Sequence, residues 1–324
     1  MKKILLLVCL LSGPFYSLLQ AQTPEVKGLN TINQQTAEAH IGFLADDLLE
    51  GREAGFKGGR LAGAYIVSCL KAMGVSPLQD SYYQPFEAYN RERQKRGRYQ
   101  VHPDSIAVLK QQTHQCLQLN NVLAKIEGKN PDEYVIVGAH YDHLGMDPAL
   151  AGDQIYNGAD DNASGVSAVL QIARAFLATG VKPERTVIFA FWDGEEKGLL
   201  GSSYFVQSFP YIDRVKGYLN FDMIGRNNNE ANPEHVVYFY TEAHPVFGDW
   251  LKRDISKYGL KLKPNYRPWD KPVGGSDNAS FAKLNIPVIW YHTDGHPDYH
   301  MPGDHSDKIN WSKVVDITKA SFLN

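Results

Sequence analysis

Cysteine is scarce in this chain, with three among 324 residues, and none lies in a CxxC pair or beside a catalytic-type histidine. No chemistry is therefore assigned to the thiols. Cys9 sits in an apolar run without a lipobox, which argues against lipidation. Cys69 and Cys116 are left either as a pair, which an oxidising compartment permits, or as two unpaired thiols. Long apolar runs are also missing. The stretch from Ile4 to Leu11 stops at Ser12, Gly13 and Pro14, short of the 18 or more residues of a membrane span. With Lys2 and Lys3 before it and Ala21 after it, this segment has the layout of a secretory signal peptide, cleaved near Ala21. The expectation is a secreted or periplasmic protein with no stable membrane anchor after cleavage. Without Lys2 and Lys3 the 33 basic residues become 31 against 36 acidic ones, a net charge of −5. That balance gives no sign of a nucleic-acid surface. No repeat, low-complexity tract or linker divides residues 22 to 324, so one domain is expected there.

What the chain does have is a regular alternation of strand-like and helix-like patterns from Asn121 onward. The segments "NVLAKIEG", "EYVIVGAHYD", "TVIFAFWDGEE", "GYLNFDMIG", "VVYFYTE" and "PVIWYHT" read as strands. Helical spacing lies between them: Val166 to Leu177, Leu200 to Phe209, Val246 to Tyr258, and from Trp311. Upstream, "QTAEAHIGFLADDLLEGREAGFKGGRLAGAYIVSCLKAMGVSP" reads as two helices around a glycine-rich turn. Residues 82 to 119 are polar, hold the basic run "NRERQKRGRYQ" and lack a steady period, which predicts a surface insertion. The pattern is that of an α/β three-layer sandwich, with a mixed, mostly parallel central sheet and helices on both faces.

Three of these strands end in side chains able to hold a metal, at the edge where open α/β sheets build their sites. "VIVGAHYD" delivers His140 and Asp142, whose spacing of two puts both on one face of a strand. Asp142 suits the role of orienting the histidine, although a strand-end histidine bonded for structural reasons fits equally well. His143, next door, has no such partner in the sequence and reads as a bystander. "NGADDNASG" places Asp160 and Asp161 before a helix, where either a helix cap or a tight metal-binding turn fits. Glu195 and Glu196 follow the strand "TVIFAFW", and sequence neighbours do not share a face, so one can ligate while the other acts as a base. Asp222 sits between Phe221 and Met223, and an ion pair with Arg226 would be a purely structural use for it. The loop "GHPDYHMPGDHSDKIN" holds His296, His300 and His305. Together the five segments supply what a two-metal hydrolase needs: a bridging carboxylate, further ligands for each metal, and a separate base.

The series "GAHYDHLG", "GADDNASG", "DGEEKGLLGS", "NFDMIGR" and "YHMPGDHSDKI" resembles the di-zinc aminopeptidases, in the superfamily that also contains glutamate carboxypeptidase II and the glutaminyl cyclases. The resemblance covers all five motifs in order and runs from "LADDLLEGREAG" to the last residue. It implies a zinc-exopeptidase-like fold and two zinc ions per chain, with manganese or cobalt as substitutes. His140 and Asp222 would hold one ion, Glu196 and His300 the other, and Asp161 would bridge them. Glu195 would be the general base and Asp142 the residue that orients His140. A cis peptide is implied between Asp161 and Asn162. Two departures stand out: Met301 replaces a threonine, and Asn278 stands where relatives often have histidine.

On this resemblance the chain is expected to be a metallo-aminopeptidase acting on peptides with a free N-terminus. The competing expectations are a single-zinc glutaminyl cyclase, a carboxypeptidase of the glutamate carboxypeptidase kind, and a binding protein that has lost its chemistry. Arg226 and Arg267 are the cations that a carboxypeptidase reading would call on.

Overall fold

The structure is a computed structural model and describes residues 22–91, 99–269 and 274–324. The leader expected over residues 1–21 and most of the basic run lie outside the described residues. Among the described residues nine strands make one sheet: β1 (Ser76–Pro77), β2 (Tyr83–Arg91), β3 (His114–Ile126), β4 (Asn130–His140), β5 (Arg185–Trp192), β6 (Val215–Phe221), β7 (His235–Tyr240), β8 (Lys263–Pro268) and β9 (Val288–His292). Their order is β1-β3-β5-β4-β6-β9-β7-β8, with β2 paired to β3. The central run β5-β4-β6-β9 is parallel, and the β3–β5 and β7–β9 pairings on either side of it are antiparallel.

Alternation along the central strands sends side chains to two separate cores, as a sheet buried on both faces requires. Val187, Phe189 and Phe191 of β5 join one core, which is covered by the helices over 34–44, 57–73, 165–178 and 311–323. Ile188, Ala190 and Trp192 join the other, under the helices over 200–208 and 278–282. Phe189, Phe191 and Trp192 are fully buried, and each such side chain contributes about 1.5–3 kcal/mol of transfer free energy. The two upstream helices form as the spacing predicts. The second ends where Gly74 takes a left-handed conformation, φ 77°, that caps its last turn.

The surface insertion expected over 82–119 needs correcting. Tyr83–Arg91 and His114–Ile126 pair as a long antiparallel ribbon, from Tyr83↔Val122 to Arg91↔His114, and this ribbon belongs to the sheet. Its face carrying Phe86 and Ala88 is buried while Tyr83, Glu87 and Gln118 look outward, so polar residues on the wet face hide the strand period. Cys69 and Cys116 are both free thiols.

Candidate active site

β5, β4 and β6 are neighbouring parallel strands, so their carboxyl ends open on one edge. His140 is the last residue of β4, Asp222 directly follows β6, and Glu195 and Glu196 stand in the turn after β5. Residues 159–164 cross the same edge and carry Asp161. The loop after β9 brings His300 over it. All five predicted ligand residues and Glu195 line one cavity of about 470 Å³.

His140 Nε2 lies 3.3 Å from Asp161 Oδ1 and 3.7 Å from Asp222 Oδ1. His300 Nε2 lies 3.1 Å from Asp161 Oδ2 and 3.3 Å from Glu196 Oε2. The two oxygens of Asp161 thus face different histidines. His140 Nε2 is buried and has no hydrogen-bond partner, although carboxylates surround it. An orphaned imidazole nitrogen beside converging carboxylates is the donor set zinc takes. Among the described residues, two groups bring their donor atoms within 4.8 Å of one another: His140, Asp161 and Asp222, and His143, Asp161 and Glu196. The peptide bond between Asp161 and Asn162 is cis.

Glu195 lines the cavity but belongs to neither donor group. Burial, with Asp277, Asp222 and Glu196 close by, holds its carboxyl well above the ordinary carboxylate range, against the opposing pull of His140. Its place in the cavity, outside both donor groups, suits proton transfer better than ligation.

Asp142 contacts His140, as expected, and has a second task. Its carboxylate accepts the main-chain N–H groups of Glu195 and Glu196, at 3.0 and 3.3 Å, and stands 3.8 Å from His140 Nδ1. The ring of His140 faces the main-chain oxygen of Asp142 instead, at 3.2 Å. Asp142 therefore orients the two glutamates through their backbone. Burial pushes its carboxyl up to about 7.

His143 is no bystander. It is buried, with Nδ1 2.7 Å from Glu196 Oε1 and 3.8 Å from Asp161 Oδ2. Its partner lies 53 residues away, beyond what local spacing reveals. Neither Asp160 nor Asp161 caps the following helix, which has no side-chain cap. Arg226 pairs with Asp298 at 2.7 Å and leaves Asp222 to the cavity. His296 faces Asp160 at 3.3 Å, and His305 pairs with Asp153 at the surface, so of the three loop histidines His300 alone enters the donor cluster.

Two residues that carry no local signal in the sequence hold the loops in place. One carboxylate oxygen of Asp304 accepts the successive N–H groups of Asp160 and Asp161, at 2.9 and 3.0 Å, while Arg226 approaches the other oxygen at 3.5 Å. Asp304 thereby joins the loop of His300 to the loop of Asp161. Arg52 is fully buried and donates to the main-chain oxygens of Leu44, Tyr141, Asn157, Gly158 and Asp161. Burial pushes its guanidinium down to about 10, against the nearby charges of Asp161 and Asp304.

Residues 121–323 match the model of peptidase family M28. The chain is similar to leupeptin-inactivating enzyme 1 of Streptomyces exfoliatus, 33% identical over 170 residues, covering 52% of this chain and 34% of that protein. It is also similar to leucine aminopeptidase 2 of Trichophyton equinum, 39% identical over 179 residues, covering 52% of this chain and 32% of that one. The matched stretch spans about a third of the length of either relative. The fold is that of the LapA aminopeptidase of Legionella pneumophila, with a TM-score of 0.67 at 20% identity over 100% of this chain and 78% of that chain.

Proposed function

The chain belongs to peptidase family M28, and from that premise we propose that it is an exported two-zinc aminopeptidase that removes N-terminal residues from peptides. One observation carries the reading: the oxygens of Asp161 face His140 at 3.3 Å and His300 at 3.1 Å, so a single acid joins two half-sites. His140 and Asp222 would hold one zinc, Glu196 and His300 the other, with Asp161 shared. Manganese or cobalt suits the same donors. When bound, the pair of ions makes a water nucleophilic near neutral pH and offsets charge on the scissile carbonyl oxygen.

The remaining steps fall to the chain's own groups. Glu195 takes the proton of the attacking water and delivers it to the leaving amine nitrogen. Asp142 fixes the main chain of both glutamates, so the base and the adjacent ligand keep their separate directions. His143 occupies Oε1 of Glu196 and leaves Oε2 toward His300.

The character of the cavity favours an aminopeptidase over a carboxypeptidase. Asp161, Glu195, Glu196 and Asp222 line it, and among the described residues no lysine or arginine does. Zinc would offset the charge of three of these acids, so what speaks against a carboxypeptidase is the lack of a side-chain cation to receive a terminal carboxylate. Arg226 is engaged by Asp298, and Arg267 stacks over Phe239 outside the cavity lining. The name of the Trichophyton relative supports the same choice. Export rests on the leader-like layout of residues 1–21, and a mature N-terminus at Gln22 is the expected result of N-terminal sequencing.

The deciding experiment combines zinc analysis with a panel of N-terminally free and blocked peptides on one preparation. Two zinc ions and release of N-terminal residues from the free peptides alone are expected. One zinc with pyroglutamate formation would establish a cyclase, and C-terminal trimming of blocked peptides a carboxypeptidase.

A further inference from the structure

The cavity is larger than the donor cluster at its floor. Beyond the ligands and Glu195, its wall includes Met223, Gly275, Trp290 and His292. Trp290, on β9, stacks on Phe239 with ring centroids 4.8 Å apart and planes 17° from parallel, so its ring is held as a fixed wall. The His292 ring lies beside it, centroids 5.0 Å apart. Gly275, φ 108°, faces the same indole, and a Cβ there would come within 3.1 Å of the ring. No side chain at that position crowds the slot between the indole and the floor.

His292 adds direction to this apolar surface. Its Nδ1 lies 2.7 Å from the main-chain oxygen of Asp222. A carbonyl oxygen only accepts, so Nδ1 carries the hydrogen. In the neutral ring Nε2 is then an acceptor with an available lone pair. No hydrogen bond engages Nε2 among the described residues, and the ring lines the cavity.

We propose that this part of the cavity is the subsite for the side chain of the substrate's N-terminal residue, and that His292 selects an aromatic side chain bearing a hydroxyl, tyrosine over phenylalanine. The inference rests on the aminopeptidase reading of the same cavity. Trp290, 7% exposed and stacked on Phe239, bounds the subsite with the part of its indole that lines the cavity. The phenol O–H donates to His292 Nε2, and phenylalanine leaves that nitrogen without a partner.

The test uses the zinc-loaded full chain with tyrosine and phenylalanine 4-nitroanilides, and calorimetric binding of free tyrosine and free phenylalanine as a readout without turnover. A tyrosine preference of about tenfold in kcat/KM is expected for one hydrogen bond in a partly open site. His292→Asn is the informative variant, because its amide nitrogen replaces Nδ1 against Asp222 and nothing replaces Nε2. It is expected to bring the ratio to about one, by loss on tyrosine alone, in both turnover and binding. Equal use of the two substrates by the wild type overturns the inference, as does a variant that keeps the preference. Equal loss on both substrates also overturns it, since His292 would then serve only to hold Asp222. A wild type that releases neither residue, nor any other, sinks the aminopeptidase reading itself and the subsite with it.

Discussion

The two halves of the candidate centre are built by different means. His140 and Asp222 stand at the ends of β4 and β6, where ladder hydrogen bonds to neighbouring strands fix the main chain, and their side chains are 1% and 9% exposed. His300 comes from a loop and is 37% exposed. Its position depends on side-chain ties: Asp304 to the main chain of Asp160 and Asp161, Arg226 to Asp298, and Lys308 to Asp298 and Gly303. The sheet supplies order to one half at no added cost, whereas the loop half must be held by charged groups that the rest of the fold positions. The sheet half should therefore bind zinc more tightly and release it later.

Substitutions can break or sharpen that contrast. The largest effect is expected from Asp161→Ala, which removes the group common to both halves; zinc content should fall at both positions and turnover should vanish, as metal analysis and peptide assay would show. Glu195→Gln should leave both ions in place and reduce kcat by about a hundred- to ten-thousandfold, the span of general acid–base catalysis. Retention of most activity would remove Glu195 from its assigned role.

His300→Ala separates the halves directly. It should leave about one zinc per chain, held by His140, Asp161 and Asp222, while His140→Ala should disturb both the zinc content and the melting temperature. A smaller effect is expected from Asp304→Asn, which keeps an acceptor for the two N–H groups but loses the charge facing Arg226. The more weakly held zinc should bind about 10–100-fold less tightly, as outer ligand-shell substitutions usually act. Chelator titration should show this, with the tighter step unchanged. Equal weakening of both steps would contradict the difference between the halves.

The smallest effect lies outside the centre and serves as a control. Burial pushes the imidazole of His40 down to about 4 from 6.5, with Arg174 adding to the shift. The unfolded chain then binds the proton more readily, so this residue's contribution to stability is present above about pH 6.5 and is lost as pH falls toward 4. Thermal melts of His40→Gln should show a shallower acid decline than the wild type, with both zinc affinities preserved at neutral pH.

The sheet half is also the legible half. Apolar runs that end in His140, Glu195–Glu196 and Asp222 announce both the strand and the edge it feeds, because a core strand places acidic groups at its end only where something receives them. His300 needs the family likeness to be chosen from three histidines. What stays hidden in the sequence acts across long separations or through the main chain. His143 meets Glu196 from 53 residues away, and Asp304 reaches backbone N–H groups 143 and 144 residues away. Asp142 points by its spacing to His140, whereas its carboxylate serves two amides of another turn. The β2–β3 ribbon escapes notice because its outward residues are polar, so alternation looks like the absence of a pattern.

Arg52 bears on where one could cut this protein. The family match begins at residue 121, yet this guanidinium, from well before that point, gathers main-chain oxygens at 141, 157, 158 and 161 into one bundle. A fragment trimmed to the matched region would retain every proposed ligand and lose the hub around which their loops are arranged. The unit that inheritance must keep together is thus longer than the stretch in which the chemistry is written.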